Sequence, residues 1–269
     1  MKNQTTLKLC EGAAMIALAF GLSFIAIIKM PFGGSVTACS MLPIALFAYR
    51  RGWRWGLGCG FVFSVLQLLQ GMSSLQYATS AGALIAILLL DYIVPFSVLG
   101  LAGIFRGKIK GQAAALVCGT TMVCLIRYIC HVISGCTVWA GVSVPTGDGL
   151  VYSLVYNAAY MVPEAFITIV AAWYVARLVN FESERLSANK PEALGYGTMA
   201  CRSVGLLFLL VGIVFDALYM FQSAQTEEGF DITQIQNMNF SLFGAVLISG
   251  VVICGILFTV AHFTKTKKN

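Results

Sequence analysis

The chain has 269 residues, of which 59% are hydrophobic and only 10% charged, with a mean hydropathy of +0.85. So apolar a mix leaves too little polar surface for a soluble domain, and no tract shows the alternating segments of about 10 residues found in a membrane β-barrel. The cations behind the net charge of +6 gather in connectors, so the excess reads as membrane topology and excludes nucleic acid as a partner class.

The expectation is an all-α, polytopic membrane protein. Eight apolar segments approach or exceed the roughly 20 residues that cross a bilayer as a helix. They cover approximately 9–28, 36–50, 55–71, 83–104, 111–139, 150–178, 199–222 and 240–263. The second and third are short, and either can be tilted or partly interfacial. In the first, Gly12, Ala13, Ala17 and Gly21 form a small-residue stripe along which another helix, from this chain or a partner, can approach closely. Lys2 and Lys8 ahead of Ala17-Leu18-Ala19 imitate a signal peptide. Cleavage there would put the next connector on the wrong side, so a retained first helix is expected. The tract 71–82 (GMSSLQYATSAG) reads as an outer loop folded back to roof a pocket. Residues 180–198 are the most polar stretch and contain Pro191, Gly195 and Gly197. They divide a six-helix substrate-binding domain (1–180), by way of a cytoplasmic linker (181–198), from a two-helix transmembrane extension (199–269).

If every segment spans, Lys2, Lys8, Arg50, Arg51, Arg54, Arg106, Lys108, Lys110, Arg177, Arg185, Lys190, Arg202, Lys265, Lys267 and Lys268 share one side. Lys29, Asp148, Glu227, Glu228 and Asp231 take the other. The positive-inside rule then makes both termini cytoplasmic in a cell-membrane protein. The nine cysteines show no C-x-x-C spacing and most lie in apolar segments. They read as packing residues, with no disulfide framework and no metal site.

An ionisable group inside a span is costly and is by default a functional candidate. Glu11, near the first helix's cytoplasmic end, can snorkel, and Asp216 can reach the outer interface. On the fifth segment Arg127 lies about 18 Å and His131 about 12 Å below Trp139. On the sixth, returning segment, Glu164 reaches the depth of Arg127, which predicts a buried structural ion pair. Asp91 lies level with His131. With Trp139, Tyr152 and Asn157 they outline one outer pocket suited to a cation, through a desolvated carboxylate, an indole face and an amide edge. There is no H-E-x-x-H, G-x-S-x-G or Walker A sequence. Neither a catalytic centre nor a cofactor is called for, and energy for any transport would come from an ion gradient or another subunit.

Four segments then carry a likeness: GGSVTACSMLPIALFAYRRG (33–52), LLDYIVPFSVLGLAGIFR (89–106), RYICHVISGCTVWAG (127–141) and VYSLVYNAAYMVPE (151–164). In series, over residues 8–180, they resemble the thiamine-specific S components of energy-coupling factor (ECF) transporters. The resemblance implies a six-helix fold, high-affinity thiamine binding in an outer pocket, and no enzymatic activity. It places Asp91 opposite the ligand's cationic part with Tyr92 beside it. His131, Gly135 and Trp139 fall on the pocket-lining face, and Tyr152 and Asn157 where the aminopyrimidine pairs. Ala13 and Ala17 match the stripe through which S components dock on a transmembrane coupling subunit, which works with two cytoplasmic ATPases. Gly34 stands where some members have tryptophan, and residues 71–88 match poorly. A thiamine precursor or another vitamin is the alternative ligand. An intramembrane enzyme using Asp91 and His131 as acid and base is the alternative class.

Overall fold

The structure, a computed structural model, describes residues 2–30, 33–138, 149–183, 185–189, 196–227 and 229–266. It falls into two compact units, residues 1–189 and 190–269.

Unit 1 begins with α1 (Lys2–Ser23) and a short antiparallel hairpin, β1 (Ala26–Lys29) and β2 (Ser35–Thr37), in which Ile28 pairs with Val36 and Lys29 with Ser35. Next come α2 (Leu42–Arg51), α3 (Trp53–Gln70) and a 3-10 turn (Met72–Tyr77). The composite helix α4 (Ala81–Gly103), then α5 (Gln112–Thr137) and α6 (Gly149–Leu178), complete the bundle. By length and composition α1, α4, α5 and α6 can each cross a membrane.

The segment 36–50 is not the continuous span expected from its hydropathy. Residues 35–37 belong to β2, Cys39 takes a left-handed φ of 61°, and only Leu42–Arg51 is helical. Ten residues rise about 15 Å, half a hydrocarbon core. Burial explains the misreading, because every residue from Leu42 to Arg50 is covered by protein and the apolar run faces neighbours instead of lipid. Glycines let those neighbours come close. A Cβ on Gly100 of α4 would stand 2.2 Å from the Gly56 carbonyl carbon of α3, so the two backbones touch. Ile44, Phe47, Phe63, Leu99 and Val123 form the core of this contact.

The composite α4 changes pitch along its length. It is α-helical over Ala81–Ile87, a π-turn over Leu88–Ile93, α-helical again over Val94–Ser97, and 3-10 over Val98–Gly103. Pro95 is the local cause. It has no N–H for the Asp91 carbonyl one turn back, and its ring crowds that carbonyl. The wide turn therefore carries Asp91 and Tyr92, in the place where π-bulges tend to mark functional sites.

At the end where α1 begins, Glu11 does not snorkel as expected. It is paired with Arg50 Nε at 2.7 Å and with the Arg51 guanidinium, joining α1 to α2. Residues read as the start of the linker also fold back onto unit 1. β3 (Val179–Asn180) pairs with β4 (Ser187–Ala188). The Tyr49 hydroxyl donates to Glu182 Oε1 at 2.9 Å, Arg50 Nη1 to the Ser183 carbonyl at 3.1 Å, and the Phe181 N–H to Gln112 Oε1 at 2.8 Å. The unit accordingly runs to Asn189.

Unit 2 is an antiparallel pair, α7 (Tyr196–Ser223) and α8 (Phe240–Thr266), with a small hairpin of β5 (Gln225–Thr226) and β6 (Gly229–Phe230) between them. Both helices are long and apolar enough to cross a membrane. Gly205, Gly212 and Gly250 lie along their seam and let the backbones approach. Asp216 of α7 is buried, and neither carboxylate oxygen has a hydrogen-bond partner among the described residues.

Candidate functional site

A cavity of about 330 Å³ opens within unit 1, among the β1–β2 hairpin, the end of α3, the π-turn of α4 and the facing stretches of α5 and α6. That is a volume suited to a small organic ligand.

The π-turn presents Asp91, whose side chain is 16% exposed. Its two oxygens are held by adjacent turns of α5: His131 Nδ1 lies 3.1 Å from Oδ1, and the Ser134 hydroxyl donates to Oδ2 at 2.7 Å. These contacts fix the carboxylate's direction. Tyr92, the next residue, also lines the cavity and is tied to the end of α3. Its hydroxyl donates to the Gly71 carbonyl at 2.9 Å and sits 2.7 Å from Ser74 Oγ. A Cβ on Gly71 would overlap the phenol, so the glycine makes room for it. Gly135 lines the cavity and lets α6 approach α5, since a Cβ there would lie 2.1 Å from Ser153 Oγ.

The α6 side is an aromatic ladder at four-residue spacing. Tyr152 and Tyr156 stack at 5.6 Å with 10° between their planes, and Tyr156 meets Tyr160 edge-on at 5.7 Å. The Asn157 amide nitrogen donates to the Ser153 carbonyl at 2.8 Å and the His131 carbonyl at 3.3 Å, while its oxygen accepts from the Tyr160 hydroxyl at 2.7 Å. Asn157 therefore ties α6 to α5 at the cavity wall.

Deeper on the same helices Arg127 Nη1 and Glu164 Oε2 stand 2.9 Å apart, and the Arg127 guanidinium lies over the Phe96 ring at 4.5 Å. Both charged residues belong to the cavity wall. Glu164 Oε1 accepts from the Thr37 hydroxyl of β2 at 2.6 Å.

Asp91, Tyr92, His131, Gly135, Tyr152 and Asn157 thus all line one cavity, together with Arg127 and Glu164. Trp139 lies outside the described residues. Ala13 and Ala17 are exposed on α1, whereas Gly12 faces inward against Phe47 and Cys59. Residues that sequence reasoning passed over also line the cavity, among them Thr37, Gln67, Ser153, Tyr156 and Tyr160. The tyrosines were visible as a repeat at 152, 156 and 160, leading to Glu164. The neutral hydroxyls and Gln67 carried no comparable signal. Among the described residues no group of three or more His, Cys, Asp or Glu could hold a metal ion.

Helices long enough to span, enclosing a cavity with oriented carboxylates and an aromatic wall, define a membrane-embedded protein built to hold a small ligand. Comparison with known proteins narrows the class. The family described as "Thiamine transporter protein (Thia_YuaJ)" matches residues 9–181, more than half of the chain. The chain belongs to that family. The thiamine transporter ThiT of Bacillus subtilis is 35% identical over 178 residues, covering 62% of this chain and 88% of that protein. The ThiT of Lacticaseibacillus paracasei is 28% identical over 175 residues, covering 60% and 82%. The solved structure of ThiT from Listeria monocytogenes aligns with a TM-score of 0.52 at 21% identity, over 64% of this chain and 94% of that one, which shows the shared fold. The family match ends at residue 181, so unit 2 lies outside it.

Proposed function

We propose that unit 1 is the substrate-binding S component of an ECF-type transporter, that its cavity takes thiamine, and that it passes its cargo on through partner subunits. Membership of the thiamine transporter family makes the chain a transport protein's substrate-binding subunit and not an enzyme. One observation carries the ligand assignment to this cavity. The Asp91 carboxylate lines the cavity, where the Ser134 hydroxyl and His131 orient it, and so presents a negative charge to a ligand. Thiamine carries one permanent positive charge on its thiazolium ring, and opposite charges a few ångströms apart in a partly desolvated site attract strongly.

In this reading the thiazolium lies against Asp91, with His131 and Tyr92 beside it. The aminopyrimidine lies towards Tyr152 and Asn157, with Gly135 leaving room and Trp139 supplying a stacking face. The Asn157 amide is already shared among Ser153, His131 and Tyr160, so pairing with the ligand exchanges one of those bonds. An acid–base enzyme is disfavoured by the same geometry. The Ser134 hydroxyl donates to the carboxylate, so it is not lined up for activation by His131.

The exposed Ala13 and Ala17 of α1 provide the docking stripe for a transmembrane coupling subunit, itself driven by two cytoplasmic ATPases. The assembly would lie in the cell membrane with both termini cytoplasmic, a reading that the clustering of cations in the connectors supports. The test is a binding screen of purified full-length protein across vitamins and precursors, read by calorimetry. Thiamine should bind most tightly. Tighter binding of the neutral hydroxymethylpyrimidine precursor would reassign the cavity.

A further inference from the structure

β2 runs along one face of α6 with a tie at each end. At the turn end the Gly34 N–H donates to the Tyr156 hydroxyl at 3.2 Å. Three residues on, the Thr37 hydroxyl donates to Glu164 Oε1 at 2.6 Å. The two spacings match, since three extended residues cover about 10 Å and the eight residues from Tyr156 to Glu164 rise about 12 Å. Between the ties Tyr160 fills the space before Gly34, where a Cβ would lie 2.7 Å from the phenol ring.

The ties differ in strength. The one at Gly34 joins neutral groups and is part-buried. The one at Thr37 is fully buried and ends on a carboxylate whose other oxygen is held by Arg127. A hydrogen bond to an ionised group shielded from water is the stronger kind. Gly34, Ser35 and Thr37 all line the cavity.

We propose that Thr37 is a positioning residue for the bound ligand. Its hydroxyl, fixed by the Arg127–Glu164 pair, sets the register of β2 on α6 and so holds Gly34 and Ser35 in the cavity wall. It acts through that backbone, because its hydroxyl is engaged by Glu164 and by Ser40 Oγ, 2.7 Å away. The ion pair thereby bears on ligand retention as well as on stability.

The inference rests on the thiamine reading, and one experiment separates the two. Thiamine association and dissociation are followed by intrinsic fluorescence in stopped flow, using full-length wild type, Thr37→Val and Thr37→Ser. Thr37→Val keeps the shape and loses the donor. It should release thiamine about tenfold faster, with an association rate within about twofold of wild type. Thr37→Ser restores the hydroxyl and should restore slow release. If Thr37→Val does not fold, Thr37→Cys, a weak donor, takes its place with the same expectation. Unchanged release in the donor-poor variant, or equally fast release in Thr37→Ser, overturns the positioning role. Failure of the wild type to bind thiamine overturns the functional reading and this inference with it.

Discussion

Asp91→Asn removes one negative charge and almost no volume. The side chain lines the cavity and is 16% exposed, and its carboxylate is aimed by Ser134 at 2.7 Å and His131 at 3.1 Å. A ligand cation about 4 Å away interacts with such a charge by about 4 kcal/mol at an effective dielectric of ~20. Desolvation of both groups offsets part of this. The net loss should be about 2–3 kcal/mol, a rise in Kd of roughly 30–150-fold. Asparagine keeps an oxygen for Ser134, so the thermal midpoint should hold. Calorimetry on purified protein checks this with two ligands, thiamine and an isosteric analogue whose thiazolium is replaced by a neutral ring. The loss should appear for thiamine and nearly vanish for the analogue. Equal losses for both would refute the charge pairing and leave Asp91 as a shape or hydrogen-bonding element.

Glu164→Ala should lower stability by about 3–5 kcal/mol, because it leaves Arg127 buried without its carboxylate; thermal unfolding in detergent measures this. Ala13→Leu with Ala17→Leu should abolish uptake into cells or proteoliposomes while thiamine binding stays within about twofold of wild type, since both positions are exposed on α1. Loss of binding in that variant would count against a docking role. Truncation after Asn189 should leave thiamine affinity within about twofold, because residues 1–189 form a compact unit containing every cavity residue.

Sequence was informative where membrane physics makes a residue conspicuous. Asp91, Arg127, His131 and Glu164 stood out because charge and imidazole are rare inside apolar runs, and counting 1.5 Å per residue was enough to compare their depths. All-α polytopic architecture followed from composition together with the lengths of the apolar runs, and the family match and the spanning helices agree with it. The β1–β2 hairpin was not legible, because Ala26–Lys29 (AIIK) reads as the tail of an apolar helix and its partner is a distant three-residue strand. α2 was overextended for the reason given by its burial: hydropathy does not distinguish a helix facing protein from one facing lipid. Thr37 was passed over because a lone hydroxyl in an apolar run is unremarkable until its partner is known to be a buried carboxylate. Glu11 looked able to reach water, and the Arg50 and Arg51 that hold it come from another segment.

The π-turn in α4 has a consequence for how such a site can change over time. A wide turn holds one residue more than a regular helix of the same height, so α4 carries slack at the position that bears Asp91. Loss of that residue would rotate Asp91 and Tyr92 by about 100° relative to the turns beyond, at 3.6 residues per turn, while Gly100 and Gly103 could keep their contacts with α3 and α2. Ligand chemistry and scaffold packing are thus written on one helix but need not vary together. A single insertion or deletion here can re-aim the charged side chain and leave the bundle's architecture standing.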